Sequence, residues 1–523
     1  MASKTLPEPP ASRPPAVQES APSLMRADEP GFARGVGMAG LAALFLGVAI
    51  LVFNKISPRF LGPGWGGFFT VVGVAMLLFH AARDADVQIR RTYGAVGLLL
   101  IAFAAVASLL PYQGAVGSLF LPLGLPGFAL GLILLLPFSR VEDDPKWRRI
   151  TLGAITAAGA VLAAVGLIGG NASVEFLLNY GLILALLGLV YLWAAVGLIG
   201  TSEDRGYRLG QLIGLAGAVV ALVALGRSAV PPLLYSVKAL DTRPTGYFVP
   251  GGLLLSGMGF LYLLLSLGLC SDNRLVVMTR RELASFFYSP VAYIVLFAMT
   301  AVGYLNFVLF VNLQLLSALD EGGTAMEPIV QNYMVALLPV FSVIFVVPAL
   351  TMRLLSEEKR TGTLEVLLTA PLDEFSVVMS KFLAVLIFYF LLWVPWAFYL
   401  VILRVEGGKP FDYRPLLSFT AANLCSGAAF LAMGMFFSSL NRNQIVSAVL
   451  TFAGMSLLFT TFLLERFVTS PTWQAVFKQI SFVDLWIQSL GGKLYLRDVV
   501  LQSSIAAFFL FLTVKVLEAR KWT

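Results

Sequence analysis

Residues 152–170 read LGAITAAGAVLAAVGLIGG, nineteen in a row without a charge. As a helix, a run of about 20 apolar residues matches the hydrocarbon thickness of a bilayer, whereas a barrel strand needs only about ten. Its glycines and alanines let helices approach closely in lipid, where no hydrophobic force drives association. Scanning outward with a window of about 19 residues, comparable runs fall near 36–53, 64–82, 93–112, 117–138, 150–170, 176–200, 209–233 and 250–270. A second set follows near 291–313, 329–351, 379–403, 417–439, 444–464 and 499–517. Fourteen runs predict an all-α, polytopic membrane protein.

Composition agrees. Only 12% of the 523 residues are charged and 58% are hydrophobic, with a mean hydropathy of +0.86. A soluble domain carries about 25% charge. The formal charge of +7 does not form a nucleic-acid stripe. Its Lys and Arg residues sit in alternate short loops: Arg83/Arg90/Arg91, Arg140/Lys146/Arg148/Arg149, Arg205/Arg208, Arg274/Arg280/Arg281, Arg353/Lys359/Arg360, Arg442 and Arg520/Lys521. The loops between them are neutral or mixed, such as 314–328 with Asp320, Glu321 and Glu327. Positive-inside asymmetry then places both termini in the cytoplasm, as an even number of spans requires.

The first eight runs form four hairpins, and three cytosolic loops (RDADVQIRRTYG, RVEDDPKWRRITLG, SEDRGYRLGQLIG) share an order of acids, bases and then Gly. Orientation rules alone generate much of that likeness. Residues 1–33 are rich in Pro, Ser and Ala without apolar periodicity, which predicts a disordered cytosolic tail. The two cysteines, Cys270 and Cys425, build neither a disulfide framework nor a CxxC metal site. The single histidine, His80, closes a run and reads as a solvated or packed side chain. Asn171-Ala-Ser173 matches a glycosylation sequon, a weak three-residue signal.

The centres of the runs hold essentially no Asp, Glu, Lys or Arg; Arg227 and Lys381 lie toward run ends. Ion-coupled carriers keep an ionisable group at membrane depth because it performs the coupling. Its absence implies an energy source outside the spans.

One cytosolic interval breaks the pattern. Residues 356–371 read SEEKRTGTLEVLLTAP, with Glu357, Glu358, Lys359 and Arg360 in succession. Gly362-Thr363 interrupts the stretch, Thr363 can cap a following helix, and Pro371 stops it. Leu364, Leu367 and Leu368 recur at helical spacing. The residues alone leave two readings open, a short amphipathic element offered to a partner or a solvated orienting loop.

The longer stretch EEKRTGTLEVLLTAPLDEFSVVMSKFL resembles the signature of ABC-2-type permeases, the membrane halves of a class of ATP-driven transporters. Glu357, Glu358, Lys359, Gly362, Thr363, Leu364, Glu365, Leu367, Leu368, Pro371 and Lys381 meet that pattern. The resemblance implies that 353–372, Arg360 included, is a coupling helix docking into a groove of an ATP-binding subunit. Glu358 or Glu365 would then pair with basic groups around that groove. TRRELASFFYSPVAYIV resembles the family's elbow helix, assigned to 273–290, with Arg280, Arg281 and Glu282 facing water and Phe286, Phe287 and Tyr288 in the interface. KLYLRDVVLQSSIAAFFLFLTVKVLEARKW resembles permeases of the gliding-motility type and, more loosely, those of copper-enzyme maturation operons. The likeness covers about 273–523. It implies three regions: the tail 1–33, an eight-span region 34–271 of unknown role, and a six-span permease domain 272–523. The extracellular segment 465–498 would hold Trp473, Phe482, Trp486 and Tyr495 at the outer interface.

No GxxxxGK[ST] phosphate loop occurs, so the resemblance implies no catalytic residue, metal or cofactor in this chain. ATP and Mg would be bound by a partner subunit. The other implied partners are a second permease copy or homologue, an extracytoplasmic accessory protein and the bilayer of the inner (cytoplasmic) membrane, with no nucleic acid. Export is the expected activity. A secondary carrier or lipid flippase, or a membrane enzyme acting on lipids or glycans, is the alternative; the latter lacks clustered His, Asp or Glu.

Overall fold

The computed structural model describes residues 30–56, 63–83, 86–111, 119–201, 203–238, 247–320, 329–334, 337–363, 373–407 and 414–521. Among them every regular element is helical, with short π-helical turns and no strand. Helices follow from the solvent: in hydrocarbon each backbone N–H and C=O must be satisfied within its own segment. Eleven of the described helices are long and apolar enough to cross a membrane. Three shorter apolar stretches, Arg34–Ile50, Trp65–Ala81 and Leu125–Val141, fall on three more of the expected runs. The chain is a polytopic helical membrane protein.

Two expectations about boundaries change. Within the run 329–351 the described helices are Ile329–Met334 and Leu337–Thr351. Residues 1–29 of the expected tail lie outside the described residues, and the helix Pro30–Ile56 already starts inside 1–33. Proline suits a first helical position, where no intrahelical partner needs its N–H.

The chain divides into two compact units, residues 1–105 with 126–154, and residues 106–125 with 155–523. Compactness draws its line near residue 155.

In the first unit, helices Pro30–Ile56 and Pro63–Arg83 pack through glycine. A Cβ on Gly73 would stand 2.4 Å from the Leu44 backbone nitrogen, so only glycine permits this approach. His80 is packed, its Nδ1 lying 2.8 Å from the Tyr93 hydroxyl. Arg91 donates to the buried Glu142 carboxylate at 2.8 Å.

In the second unit, helices Asp204–Ser236 and Leu253–Cys270 close on each other, with Ser266 Oγ donating to the Gly210 carbonyl at 2.7 Å. The helices from Arg274–Tyr288 onward surround an aromatic core that includes Tyr333, Tyr389, Trp396, Phe430 and Phe482.

The segment 465–498 behaves differently from expectation. Its helix Pro471–Ile480 buries no residue, and Trp473 is 59% exposed. Its helix Phe482–Leu490 turns inward, leaving Trp486 2% exposed, edge-on to Trp393 and Phe419. Phe482 and Trp486 are core residues, not interfacial ones. The Trp486 indole N–H can be buried because it donates to Ser426 Oγ at 3.0 Å.

Candidate coupling site

The helix Leu337–Thr351 arrives at the charged stretch through a tight contact. Gly434 lies under Thr351, where a Cβ would come within 2.3 Å of Thr351 Oγ1. A turn over 352–355 follows, then the short helix Ser356–Thr361. Ser438 pins the start of that helix: its Oγ accepts from the Leu355 and Ser356 N–H groups, each at 3.1 Å. Ser356 is fully buried and its hydroxyl donates back to the Met352 carbonyl. Gly362 closes the helix at φ +74°, a left-handed cap.

The four charges of the stretch do not all face water. Arg360 is exposed, as are Thr361, Gly362 and Thr363. Glu357 is half-buried and accepts from Arg353 Nε at 2.8 Å; Arg353 Nη1 also donates to Ser289 Oγ at 2.7 Å. Lys359 is buried. Glu358 is half-buried and points into the protein.

Glu358 meets Lys381, which is 96% buried by its 4% exposure. The Lys381 ammonium donates to Glu358 Oε1 at 2.6 Å and to Glu282 Oε2 at 2.9 Å. Three elements are tied at this one atom. Lys381 rides on the helix Glu374–Gly407, Glu358 on Ser356–Thr361 and Glu282 on Arg274–Tyr288. A buried ammonium without counter-charge is costly, so carboxylates gather on it. Breaking a buried pair by removing one partner costs about 3–5 kcal/mol, against at most about 1 kcal/mol at a surface. Of the two acids expected to face a partner, Glu358 is bonded within the chain and Glu365 lies outside the described residues.

The helix Arg274–Tyr288 is capped by Asn273, whose Oδ1 accepts from the Leu275 N–H at 2.9 Å. It is strongly two-sided. Arg280 and Arg281 are exposed, and Glu282 is drawn in by Lys381. Phe286 stacks on Phe388 with ring centroids 5.2 Å apart, and Phe287 meets the same ring edge-on at 5.6 Å. Those two aromatics grip the neighbouring helix; Tyr288 stays exposed.

Between these elements lies a cavity of about 290 Å3. Arg281, Glu282, Ser285, Arg353, Glu357, Glu358 and Lys381 form its polar wall; Phe286, Val291 and Leu350 contribute to the apolar one. Glu358 Oε2 is buried beside it and accepts from none of the described residues. On the far side of 364–372, Asp373 caps the next helix, accepting from the Ser376 N–H at 3.2 Å. Hydrogen bonds from Ser376 hold the Asp373 pKa below its ordinary value.

Leu364, Glu365, Leu367, Leu368 and Pro371 lie outside the described residues. Sequence reading missed Arg353, Ser289 and Ser438 as site residues. Lys381 gave a signal, being the only charged residue between Glu374 and Arg404. Among the described residues no group of three or more His, Cys, Asp or Glu could hold a metal ion.

Part of the sequence has a counterpart among known families. Residues 310–483 match the ABC-2 family transporter protein. The matched segment takes in the short charged helix and Lys381 and ends at the first residues of the helix Phe482–Leu490. It leaves outside it the helix Arg274–Tyr288 and everything before residue 310. No curated protein and no solved structure gives a match.

Proposed function

We propose that this protein is the membrane subunit of an ABC-2-type exporter in the inner (cytoplasmic) membrane, worked by ATP hydrolysis on a separate subunit. The match over 310–483 carries this reading. Two further features support it: the short charged helix Ser356–Thr361 is anchored in the bundle at its start, and its other end is exposed. Force applied beyond Gly362 would reach the spans through that helix. A second permease copy or homologue completes the pathway, ATP and Mg belong to the partner, and both termini face the cytoplasm. The gliding-motility type is the subfamily proposed for the C-terminal end.

The test is purification of the full chain from membranes in mild detergent, followed by identification of what accompanies it. An ATP-binding subunit should co-purify, and its Mg-ATP hydrolysis should depend on the permease. Truncating a buried interface anchor commonly costs more than about 1–2 kcal/mol, about tenfold in affinity. Leu368→Ala should therefore weaken association about tenfold or more without affecting insertion. A chain that inserts normally and brings down no ATP-binding subunit would overturn the reading.

A further inference from the structure

We infer that Lys381 is a switchable ionic joint, a positioning residue that passes between two carboxylates as the short charged helix moves. The inference rests on the transporter reading above, which supplies the force. Lys381 donates to Glu358 at 2.6 Å and to Glu282 at 2.9 Å from a site only 4% exposed. A simple buried pair resists motion, because parting it strands a charge in a medium that solvates it poorly. Here the base has two acids on two different elements. When Glu358 leaves, Glu282 still neutralises the ammonium, and the step strands no cation.

The surroundings make that step mechanically reasonable. Ser438 holds the Leu355 and Ser356 N–H groups, which fixes a pivot at the start of the helix. Glu358 sits just beyond the pivot, and Arg360 to Thr363 form the exposed lever end. The cavity of about 290 Å3 adjoins Glu358 and is lined by Arg281 and Arg353. A carboxylate swinging out of the joint therefore has both room and positive charge to meet. Arg353 already bonds Glu357 at 2.8 Å and Ser289 at 2.7 Å, so a released Glu358 carboxylate would share its guanidinium with Glu357.

A static strut and a switch respond differently to neutralising each acid. The measurement is Mg-ATP hydrolysis by the full chain in complex with its co-purified ATP-binding subunit, without added substrate. Glu358→Gln removes the hold on the short helix, so hydrolysis should rise by about fivefold or more, the lower end of ordinary coupling strengths. Glu282→Gln leaves Lys381 wholly to Glu358, so hydrolysis should fall by a similar factor while the subunit stays bound. Where Glu358→Gln fails to assemble, Glu358→Asp keeps the charge on a shorter arm and should shift hydrolysis in the same upward direction. Opposite signs support the joint. Changes of the same sign in both variants, or no change in either, make Lys381 a structural strut and overturn it. Absence of any bound ATP-binding subunit in the parent strikes the transporter reading instead.

Discussion

Gly362 sits at φ +74°, and none of the described residues places an atom within 4 Å of where a Cβ would stand. Replacing it strains the backbone whatever the space, and an L-residue in this region costs about 1–2 kcal/mol. Gly362→Ala should fray the end of the short helix and speed amide exchange at residues 359–361 by about tenfold, since about 1.4 kcal/mol is tenfold. Gly362→Asn should do less, because asparagine tolerates the left-handed region. Hydrogen exchange followed by mass spectrometry reads both. Equal exchange in parent and Ala variant would mean that the cap does not hold the helix. The break at Gly362-Thr363 was legible in the sequence, because glycine punctuates locally. The inward turn of Glu358 was not, since Lys381 lies 23 residues from Glu358 and 99 from the second acid, Glu282.

At the scale of elements, the helix Arg274–Tyr288 is held by the Lys381 joint and by rings. Stacked and edge-on aromatic pairs contribute about 0.5–1.5 kcal/mol each beyond the area they bury. Phe286→Ala removes the 5.2 Å stack on Phe388 and leaves the Phe287 contact and the ion pair in place. The helix should loosen without leaving the bundle, and trypsin should cleave after the exposed Arg280 and Arg281 several-fold faster. Unchanged cleavage would show that Lys381 and Phe287 suffice. The resemblance of TRRELASFFYSPVAYIV implied a two-sided helix here. It could not say that the apolar side faces another helix rather than lipid, because both are equally apolar.

For the molecule as a whole, the alternation of basic loops is the basis of the topology. In a chain with Cys270 and Cys425 replaced by serine, Pro145→Cys and Arg442→Cys should react with an impermeant thiol reagent only from the cytoplasmic side. Gly322→Cys should react only from the opposite side. Labelling of residue 322 from the cytoplasm would break the orientation proposed for the second set of spans. The test matters because eleven helices meet the length and hydropathy of a span among the described residues, with three shorter apolar stretches beside them. Spans and loops trade places if one stretch fails to cross.

By itself the sequence determined that this chain is helical, that it crosses a membrane many times and where those runs lie. These are averages over about 20 neighbouring residues, and neighbours are what a sequence supplies. Only the tertiary structure decided which charges are buried and which aromatics are core. Lys381 looks like any lysine near a span end until Glu282 and Glu358 are brought to its ammonium. Trp473 and Trp486 look alike as tryptophans beside a membrane, yet one is exposed and the other donates to Ser426 inside the bundle. The reason is physical: desolvation is set by what packs around a group, and the packing partners come from remote parts of the chain.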